Sequence, residues 1–328
     1  MNRSPFFAIA ITLSLALTSC VAERLAPGPG PTTPRFVDSG HWISSDGYLL
    51  GQSEWLVDNP KTVIVALHGM NDYGRFIEDA AKFWQAQGIA TYAFDQRGFG
   101  RTEGNGRWPG HEVMASDARL FINLVRARHN QAKIFLLGES MGGAVAMLAA
   151  AENPTQGADG LILVSPALWG WSNLDVVKRT ALWAMMQMAP GSRLTGRGLN
   201  IKPSDNEKML IALGQDPYVI KATRIDATYG LVDLMEAAWQ AKDKVSPPTL
   251  VLYATGDEVV PSEPIEEAAR AMPGTKRIVC YGDGFHMLLR DLKAERTWTE
   301  ISSFTQNPQK CEGGCLSLKA VQPCNPPA

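Results

Sequence analysis

The segment Gly138-Glu139-Ser140-Met141-Gly142 has the composition of a turn that exposes a nucleophilic serine. It follows the apolar run Lys133–Leu137 and precedes an alanine-rich stretch, an order that predicts a strand, a sharp turn and a helix. Glycines on both sides of the serine remove Cβ atoms that would collide where the two backbones approach each other. The turn would place Ser140 at a helix N-terminus, where backbone N–H groups face developing negative charge. We therefore predict that Ser140 is a nucleophile; a glycine-rich helix start would explain the glycines but not the serine between them.

A serine hydroxyl needs a base, because it is a weak nucleophile at neutral pH. For a serine on a turn of this kind, the carboxylate and then the histidine follow it along the chain. His286 is the only histidine after Ser140, and it comes just after the apolar run Arg277–Tyr281. We predict that His286 is the base and that the four earlier histidines have structural or surface roles.

The carboxylate that orients this histidine has three candidates. Asp257 follows the run Thr249–Tyr253 directly, which would place it at a strand end within reach of the imidazole Nδ1–H. Glu258 is the neighbouring alternative, and Asp283 lies too close to His286 in sequence to approach it easily from an adjacent strand. We predict Asp257.

Two backbone N–H groups would have to stabilise the oxyanion of an acyl-transfer reaction. Met141, directly after the nucleophile, supplies one of them. The loop His68-Gly69-Met70-Asn71, after the run Thr62–Leu67, would supply the second, which we assign to Met70. Because the donors are backbone atoms, both methionine side chains are free to serve only in packing.

The elements that would position these residues alternate between strands and helices. The strand-length runs are apolar and rich in β-branched residues, as in parallel strands buried on both faces: Thr62–Leu67, Ile89–Phe94, Lys133–Leu137, Leu161–Val164, Thr249–Tyr253 and Arg277–Tyr281. The helical stretches between them include Phe76–Gln87, Glu112–Arg128, Met141–Ala151 and Glu263–Ala271. His41–Ser44 and Tyr48–Trp55 are predicted to form an antiparallel hairpin that starts the sheet. The alternation predicts an α/β fold with a mostly parallel central sheet flanked by helices.

The segment from about 167 to 245 breaks this alternation and predicts a helical cap inserted after the sixth strand. It has helical periodicity, no convincing strand, and an unusual number of tryptophans and methionines. Trp169, Trp171 and Trp183 are assigned to the wall of a substrate pocket, since an adaptable apolar wall suits a greasy ligand. Packing inside a helical subdomain is the alternative for each of them.

The first 20 residues predict export. Arg3 is the only charge before the apolar run Phe6–Leu17, which is too short to span a bilayer but has the length of a secretory h-region. Leu17-Thr18-Ser19-Cys20 resembles a bacterial lipoprotein box, so we predict a signal peptide over 1–20 and lipidation of Cys20. An ordinary signal peptide and an uncleaved anchor are the alternatives. Since Val21 and not aspartate follows Cys20, the prediction places the protein at the outer membrane, facing the periplasm.

Residues 21–35 are rich in proline and glycine, which predicts a tether between the anchor and a folded domain over 36–306. The tail 307–328 contains three of the five cysteines, and Cys280 lies in the last predicted strand. In an exported protein four thiols allow two disulfides in three pairings. Another possibility leaves Cys280 buried and reduced, with one tail cysteine unpaired, and zinc binding by the three tail cysteines is less favoured than a disulfide. We predict at least one bridge in the tail.

Composition excludes several classes of protein. A chain of 328 residues with 45% hydrophobic and 20% charged residues is neither disordered nor collagen-like. The net charge of −2 and the absence of a basic stripe argue against nucleic-acid binding. We predict no metal and no cofactor, because no cluster has ligand spacing and no glycine-rich phosphate loop is present. No protein partner is predicted.

Taken together, these motifs resemble the α/β-hydrolase superfamily. Within it they are similar to the monoacylglycerol lipase/lysophospholipase group, also labelled serine aminopeptidase-like (S33). The matching segments are His68-Gly69-Met70, Asp95-Gln96-Arg97-Gly98-Phe99-Gly100, Gly138-Glu139-Ser140-Met141-Gly142-Gly143, Asp257-Glu258-Val259-Val260-Pro261 and His286-Met287-Leu288. Arg101-Thr102 and Ala254 depart from the usual pattern without touching the predicted chemistry.

The resemblance implies an α/β-hydrolase fold and hydrolysis of a carboxylic ester through an acyl-enzyme on Ser140. With the apolar cap, it implies a lipid substrate with one acyl chain, such as a monoacylglycerol or a lysophospholipid. An acyltransferase or thioesterase that uses the same residues is an alternative, and a peptidase is a weaker one. A non-catalytic lipid-binding lipoprotein is the alternative from another class, although a binder has no need of all three of Ser140, Asp257 and His286.

Overall fold

The computed structural model describes residues 22–37, 40–152, 157–196, 198 and 200–309. The predicted signal peptide with Cys20 and the cysteine-containing part of the tail lie outside these residues. Within the described ranges, no helix is both long enough and apolar enough to cross a membrane.

A nine-stranded sheet forms the centre of the molecule, in the strand order β1-β2-β3-β5-β4-β6-β7-β10-β11. Its strands are β1 Arg35–Val37, β2 His41–Ile43, β3 Leu49–Trp55, β4 Thr62–Leu67, β5 Ile89–Phe94, β6 Lys133–Glu139, β7 Gly160–Val164, β10 Thr249–Ala254 and β11 Lys276–Tyr281. The six strands β5, β4, β6, β7, β10 and β11 run parallel to one another. The other three form antiparallel pairs: β1 with β2, β2 with β3, and β3 with β5. The carboxyl ends of the parallel strands therefore meet at one edge of the sheet.

Helices cover both faces of this sheet. They are α1 Glu78–Gln85, α2 His111–Arg128, α3 Met141–Glu152, α4 Val176–Met188, α5 Glu207–Gln215, α6 Ile225–Gln240, α7 Ser262–Ala271 and α8 Ala294–Gln306. Residues of α1 and α8 pack on one face, and residues of α2, α3, α6 and α7 pack on the other. The first ten residues of α3 are all buried, as expected of a helix that is apolar on every side. The predicted α/β architecture is thus what the structure has.

Two short features were not predicted. The sheet begins one strand earlier than expected, with β1, so the cap follows the seventh strand and not the sixth. The cap contains a two-stranded antiparallel sheet of β8 Arg193–Leu194 and β9 Thr223–Arg224, where no strand was predicted. Strands of two or three residues are too short to show a period in the sequence.

The predicted tether is wrong for residues 22–34, because this segment lies against the folded body. The N–H of Gly30 donates to the carbonyl of Asp46, and the N–H of Leu25 donates to that of Trp108. The N–H of Gly28 also donates to the Asp46 carboxylate at 2.9 Å. A proline-rich segment has little to bury, but its backbone groups can still bind a neighbouring loop, and composition does not reveal that loop.

Cys280, in β11, is disulfide-bonded. The alternative in which Cys280 stays a thiol therefore does not hold. The other four cysteines lie outside the described residues.

Candidate active site

Ser140 lies on a strained turn at the carboxyl end of β6. Its φ angle is +54°, in the left-handed region that non-glycine residues rarely adopt. The N–H of Ser140 donates to the carbonyl of Val164 on β7, and its carbonyl accepts from the N–H of Ala167, so neighbouring segments hold the turn. A Cβ atom at Gly142 would collide with the carbonyl of Leu67, and one at Gly138 would collide with that of Gly142. Only glycine fits at these two positions, which explains the spacing of the motif.

Asp257 and His286 meet at the same edge, beyond β10 and β11. Nδ1 of His286 lies 2.8 Å from Oδ2 of Asp257, and both side chains are nearly buried. The other oxygen, Oδ1, accepts the N–H groups of Val259 and Val260 at 2.8 and 2.9 Å. These two donors fix the carboxylate, so the carboxylate can fix the imidazole with its proton on Nδ1 and a lone pair on Nε2.

The alternative carboxylates are engaged elsewhere. Glu258 accepts the N–H of Lys202 at 2.8 Å. Asp283 binds Lys293 and Arg296, and these cations lower its pKa to about 2. Asp257 is the one of the three predicted candidates that the structure brings to His286.

A salt bridge ties the histidine loop to the serine turn. Arg290, four residues after His286, lies 2.8 Å from the carboxylate of Glu139. Glu139 directly precedes Ser140, so the two loops are joined one residue away from the serine. The structure thus places Ser140, Asp257 and His286 on adjoining loops at the carboxyl edge of the sheet.

The loop after β4 lies beside the serine. A Cβ atom built on Gly69 would stand 3.3 Å from the Cβ atom of Ser140. His68 braces the start of this loop: Nε2 accepts the N–H of Gln96 at 2.9 Å, and Nδ1 lies 2.8 Å from the carbonyl of Gly69. Burial lowers the pKa of His68, which favours the neutral ring that this pair of contacts needs. His68 is structural, as predicted for the early histidines.

Met70 and Met141 follow Gly69 and Ser140 directly, so their N–H groups lie on the two segments nearest the serine. Neither N–H has an acceptor among the described residues. Both donors are thus available beside the serine turn, and their assignment to an oxyanion site stays a prediction.

The cap is fastened to this same loop. Asn71 has a φ angle of +67°, its carbonyl accepts the N–H of Ile220, and its side-chain amide donates to Thr223 at 2.6 Å. The Tyr73 hydroxyl donates to Asp216 at 2.8 Å. The residues of the cap therefore hold the segment that follows Met70.

The three tryptophans assigned to a pocket wall have different surroundings. Trp171 donates from Nε1 to Asp233 at 2.7 Å and packs on Tyr229, both in α6, so it holds the cap together. Trp169 donates to the carbonyl of Asn173 at 3.2 Å. Trp183 is 55% exposed. Their contact with a substrate stays a prediction.

Sequence analysis did not single out three charged residues next to the site: Asp72, Glu139 and Arg290. Glu139 lies inside the serine motif, and Asp72 and Arg290 lie just beyond the segments that carry Met70 and His286, where a charged residue is typical of a solvated surface. The signal that was present is position: Glu139 precedes the nucleophile, and Arg290 follows the histidine by four residues. The low solvent exposure of the three side chains, which makes their charges informative, is visible only in the structure.

The chain matches the profile of the hydrolase family described as serine aminopeptidase, S33, over residues 58–293. Monoglyceride lipase of Rattus norvegicus is 26% identical over 282 residues, which are 82% of this chain and 90% of that protein. Phospholipase YtpA of Bacillus subtilis is 26% identical over 209 residues, or 63% of this chain and 80% of that one.

Among solved structures, a soluble variant of monoglyceride lipase from Saccharomyces cerevisiae, in complex with a substrate analog, superposes with a TM-score of 0.70. It is 17% identical, and the match covers 87% of this chain and 100% of that chain. Likeness at this identity concerns the fold, and it confirms the α/β-hydrolase fold predicted from the sequence.

Proposed function

The chain belongs to the serine aminopeptidase S33 family of α/β-hydrolases, and on this premise we propose that it cleaves single-acyl lipid esters through an acyl-enzyme on Ser140. It is a carboxylic ester hydrolase, as its family and its relatives among the lipases indicate. The observation that carries the proposal is the 2.8 Å contact between Nδ1 of His286 and Asp257, on a loop that is tied to the serine turn. Ser140, Asp257 and His286 are the proposed catalytic residues.

The first half of the reaction forms the acyl-enzyme. Nε2 of His286 takes the proton of Ser140 as Oγ attacks the ester carbonyl, and the carbonyl electron pair moves onto oxygen. Asp257 stabilises the imidazolium, and the N–H groups of Met70 and Met141 stabilise the oxyanion. When the carbonyl re-forms, the bond to the alcohol breaks and His286 gives its proton to the departing oxygen.

The second half repeats these steps with water. His286 removes a proton from a water molecule, whose oxygen attacks the acyl carbonyl on Ser140. Collapse of the second tetrahedral intermediate breaks the bond to Oγ, which recovers its proton from His286. The products are one alcohol and one carboxylic acid for each water consumed.

A lipid substrate with one acyl chain is the class that we propose. The names of the relatives, monoglyceride lipase and phospholipase, support it. The cap adds an apolar surface at α4, where Val176, Val177 and Trp183 are 74%, 73% and 55% exposed. A contiguous patch of exposed apolar side chains is typical of contact with a hydrophobic ligand or an interface, and these three residues are our candidates for such a patch.

The test is a panel of monoacylglycerols, lysophospholipids and p-nitrophenyl esters of graded acyl length, with Ser140→Ala in parallel. We expect kcat/KM to rise from acetyl esters to long-chain esters. Loss of the serine should lower kcat by about 10⁶-fold, to the limit of detection. A maximum at acetyl esters would contradict the lipid assignment, and full activity of Ser140→Ala would contradict the mechanism. Transfer of the acyl group to an added alcohol in preference to water would favour an acyltransferase.

We also propose that Cys20 is lipidated and anchors the protein at the outer membrane, on the periplasmic side. Two peptide steps separate Cys20 from Ala22, the first described residue, which allows at most about 7 Å. Glu23 forms a salt bridge with Arg107 at 3.0 Å, and the neighbouring carbonyl of Asn105 accepts from Arg193 of β8 in the cap. Such an anchor would hold the cap side of the body near the lipid surface.

Cys20→Ser tests the anchor. We expect the unaltered protein to incorporate labelled palmitate and to sediment with outer membranes. The variant should lose the label and leave the membrane fraction. An unlabelled protein, or a variant that stays membrane-bound, would contradict lipidation at Cys20.

A further inference from the structure

One buried charge cluster joins the three loops that carry the proposed active site. Arg290 lies in the histidine loop, Glu139 in the serine turn, and Asp72 two residues after Met70. Nη1 of Arg290 donates to Asp72 at 2.7 Å, and Nη2 donates to Glu139 at 2.8 Å. The side chains of Arg290, Asp72 and Glu139 are 10%, 8% and 2% exposed, so the contacts are shielded from solvent.

Each partner of Arg290 is fixed to a different part of the site. Asp72 accepts the N–H of Tyr73 at 2.9 Å and closes a turn by donating its own N–H to the carbonyl of Gly69. The position of the Asp72 carboxylate is therefore coupled to the loop that contains Met70. Glu139 is the last residue of β6, and its displacement would turn the next residue, Ser140.

The backbone of Arg290 is tied to the histidine in the same way. The N–H of Arg290 donates to the carbonyl of Met287, the residue after His286, at 2.8 Å. Asp291, next in the chain, accepts the N–H of Phe285, the residue before His286, at 3.0 Å. The loop is thus closed around His286, and the Arg290 side chain fastens this closed loop to the other two.

The cluster contains one guanidinium and two carboxylates, and such a group costs free energy to bury unless its members are paired. Burial lowers the pKa of Arg290, but the charges of Asp72 and Glu139 raise it more, and the net effect is upward. Burial raises the pKa of Glu139, which Arg290 opposes. The upward shift of the Arg290 pKa has the direction expected of a cation held between two carboxylates, whereas at Glu139 burial outweighs the opposing effect of the arginine. For proteins in general, hydrophobic replacements of such clusters often preserve folding, so stability alone is a weak reason for this arrangement.

We propose that Arg290 is a positioning residue that holds the serine turn, the oxyanion loop and the histidine loop in their catalytic arrangement by binding Glu139 and Asp72 at once. The inference rests on the proposed function, and it adds a requirement to it. Displacement of catalytic groups by about 1 Å lowers rates by about 10²-fold. Loss of Arg290 should therefore act on kcat, whereas KM should change little because the guanidinium is already engaged by Asp72 and Glu139.

The chain offers a matched control. Arg97 is also buried and also bridges two carboxylates, at 2.6 Å from Asp46 and 2.6 Å from Asp117, but its partners carry none of the proposed chemistry. Arg97→Met should lower the melting temperature as Arg290→Met does, and it should leave kcat within about twofold. The pair of variants separates positioning of the active site from a general loss of stability.

The experiment measures kcat, KM, melting temperature and the rate of fluorophosphonate labelling for the full chain and its variants. For Arg290→Met we expect kcat and labelling to fall by about 10²-fold at nearly constant KM. Arg290→Lys keeps the charge but cannot bind two carboxylates in a fixed fork. Its kcat should therefore lie between that of the unaltered protein and that of Arg290→Met. A folded Arg290→Met with kcat within twofold of the unaltered protein would overturn the proposal, as would an equal loss in Arg97→Met.

If Arg290→Met does not fold, a triple variant tests the positioning role instead, since it buries no unpaired charge: Asp72→Asn, Glu139→Gln and Arg290→Met together. We expect it to fold with kcat reduced at least about tenfold, and unchanged kcat would overturn the proposal. An unaltered protein that neither hydrolyses esters nor accepts the label would refute the proposed function itself. An active unaltered protein with a normal Arg290→Met variant would refute the role of Arg290 alone.

Discussion

Replacing Asp257 by asparagine changes which atom faces His286. In the structure, the N–H groups of Val259 and Val260 both donate to Oδ1, while Oδ2 faces Nδ1 of the imidazole. The two backbone donors would keep the amide oxygen of the asparagine on their side, so its NH2 group would face the ring. Because NH2 only donates, Nδ1 must become the acceptor, and the ring proton moves to Nε2. The imidazole then offers Ser140 a proton in place of a lone pair.

The wrong tautomer costs about 10⁴-fold in kcat, which corresponds to about 5.5 kcal/mol of activation free energy. The replacement is isosteric and keeps both backbone hydrogen bonds, so the protein should remain folded. The assay is steady-state hydrolysis of a soluble p-nitrophenyl ester, with near-UV circular dichroism to check the fold.

Glu258→Gln is the matched control, because Glu258 is the next residue and binds only the N–H of Lys202 among its described contacts. Its kcat should stay within about twofold of the unaltered enzyme. A folded Asp257→Asn variant that keeps more than a tenth of the activity would refute the assignment of Asp257 as the residue that fixes the tautomer.

Three further predictions concern the turn, the oxyanion loop and acid stability. Gly142→Ala places a Cβ atom against the Leu67 carbonyl, so chemical denaturation should show a loss of about 1–3 kcal/mol in the free energy of unfolding; an unchanged midpoint would contradict the packing argument. Asn71→Ala should lower the free energy of unfolding by about 1–2 kcal/mol more than Asn71→Gly, since alanine is strained in the left-handed region and glycine is not; equal losses in chemical denaturation would argue against backbone strain. Burial raises the pKa of Asp46, but its contacts with Arg97 and backbone N–H groups outweigh burial and lower the pKa from 3.8 to about 2, so their stabilisation is present above about pH 4 and lost as the pH falls toward 2. Because 31% of the Asp46 side chain is exposed, Asp46→Asn should cost about 1 kcal/mol at pH 7 in urea unfolding, and a cost that did not shrink in acid would contradict this linkage.

The strands of the central sheet were predictable because their length and apolar composition can be recognised in the sequence. The predicted bounds of Thr62–Leu67 and Ile89–Phe94 are those of β4 and β5, since both strands are buried on two faces and end at turn residues. The serine turn was predictable for a different reason: only glycine fits two residues before and two residues after Ser140, so the geometry of the turn determines residue types that can be recognised in the sequence.

Features that depend on long-range pairing were not predictable. The segment before Arg35 packs on a loop around Asp46, and nothing local distinguishes it from a free tether. The Arg290 cluster unites residues up to 218 positions apart, and the charges of Asp72 and Glu139 gain meaning only through burial. The assignment of the carboxylate depends on long-range pairing in the same way. Its position in the sequence favoured Asp257 over Glu258 and Asp283, but its contact with His286 is visible only in the structure.

The most direct test of the proposed mechanism is to locate the covalent intermediate. The full chain is treated with a long-chain alkyl fluorophosphonate, digested, and mapped by mass spectrometry, with Ser140→Ala and His286→Ala beside it. We expect one adduct, on Ser140, that is absent from Ser140→Ala and forms at least about 10³-fold more slowly in His286→Ala. A folded protein that takes no label, or that carries it on another residue while Ser140→Ala stays active, would refute Ser140 as the nucleophile.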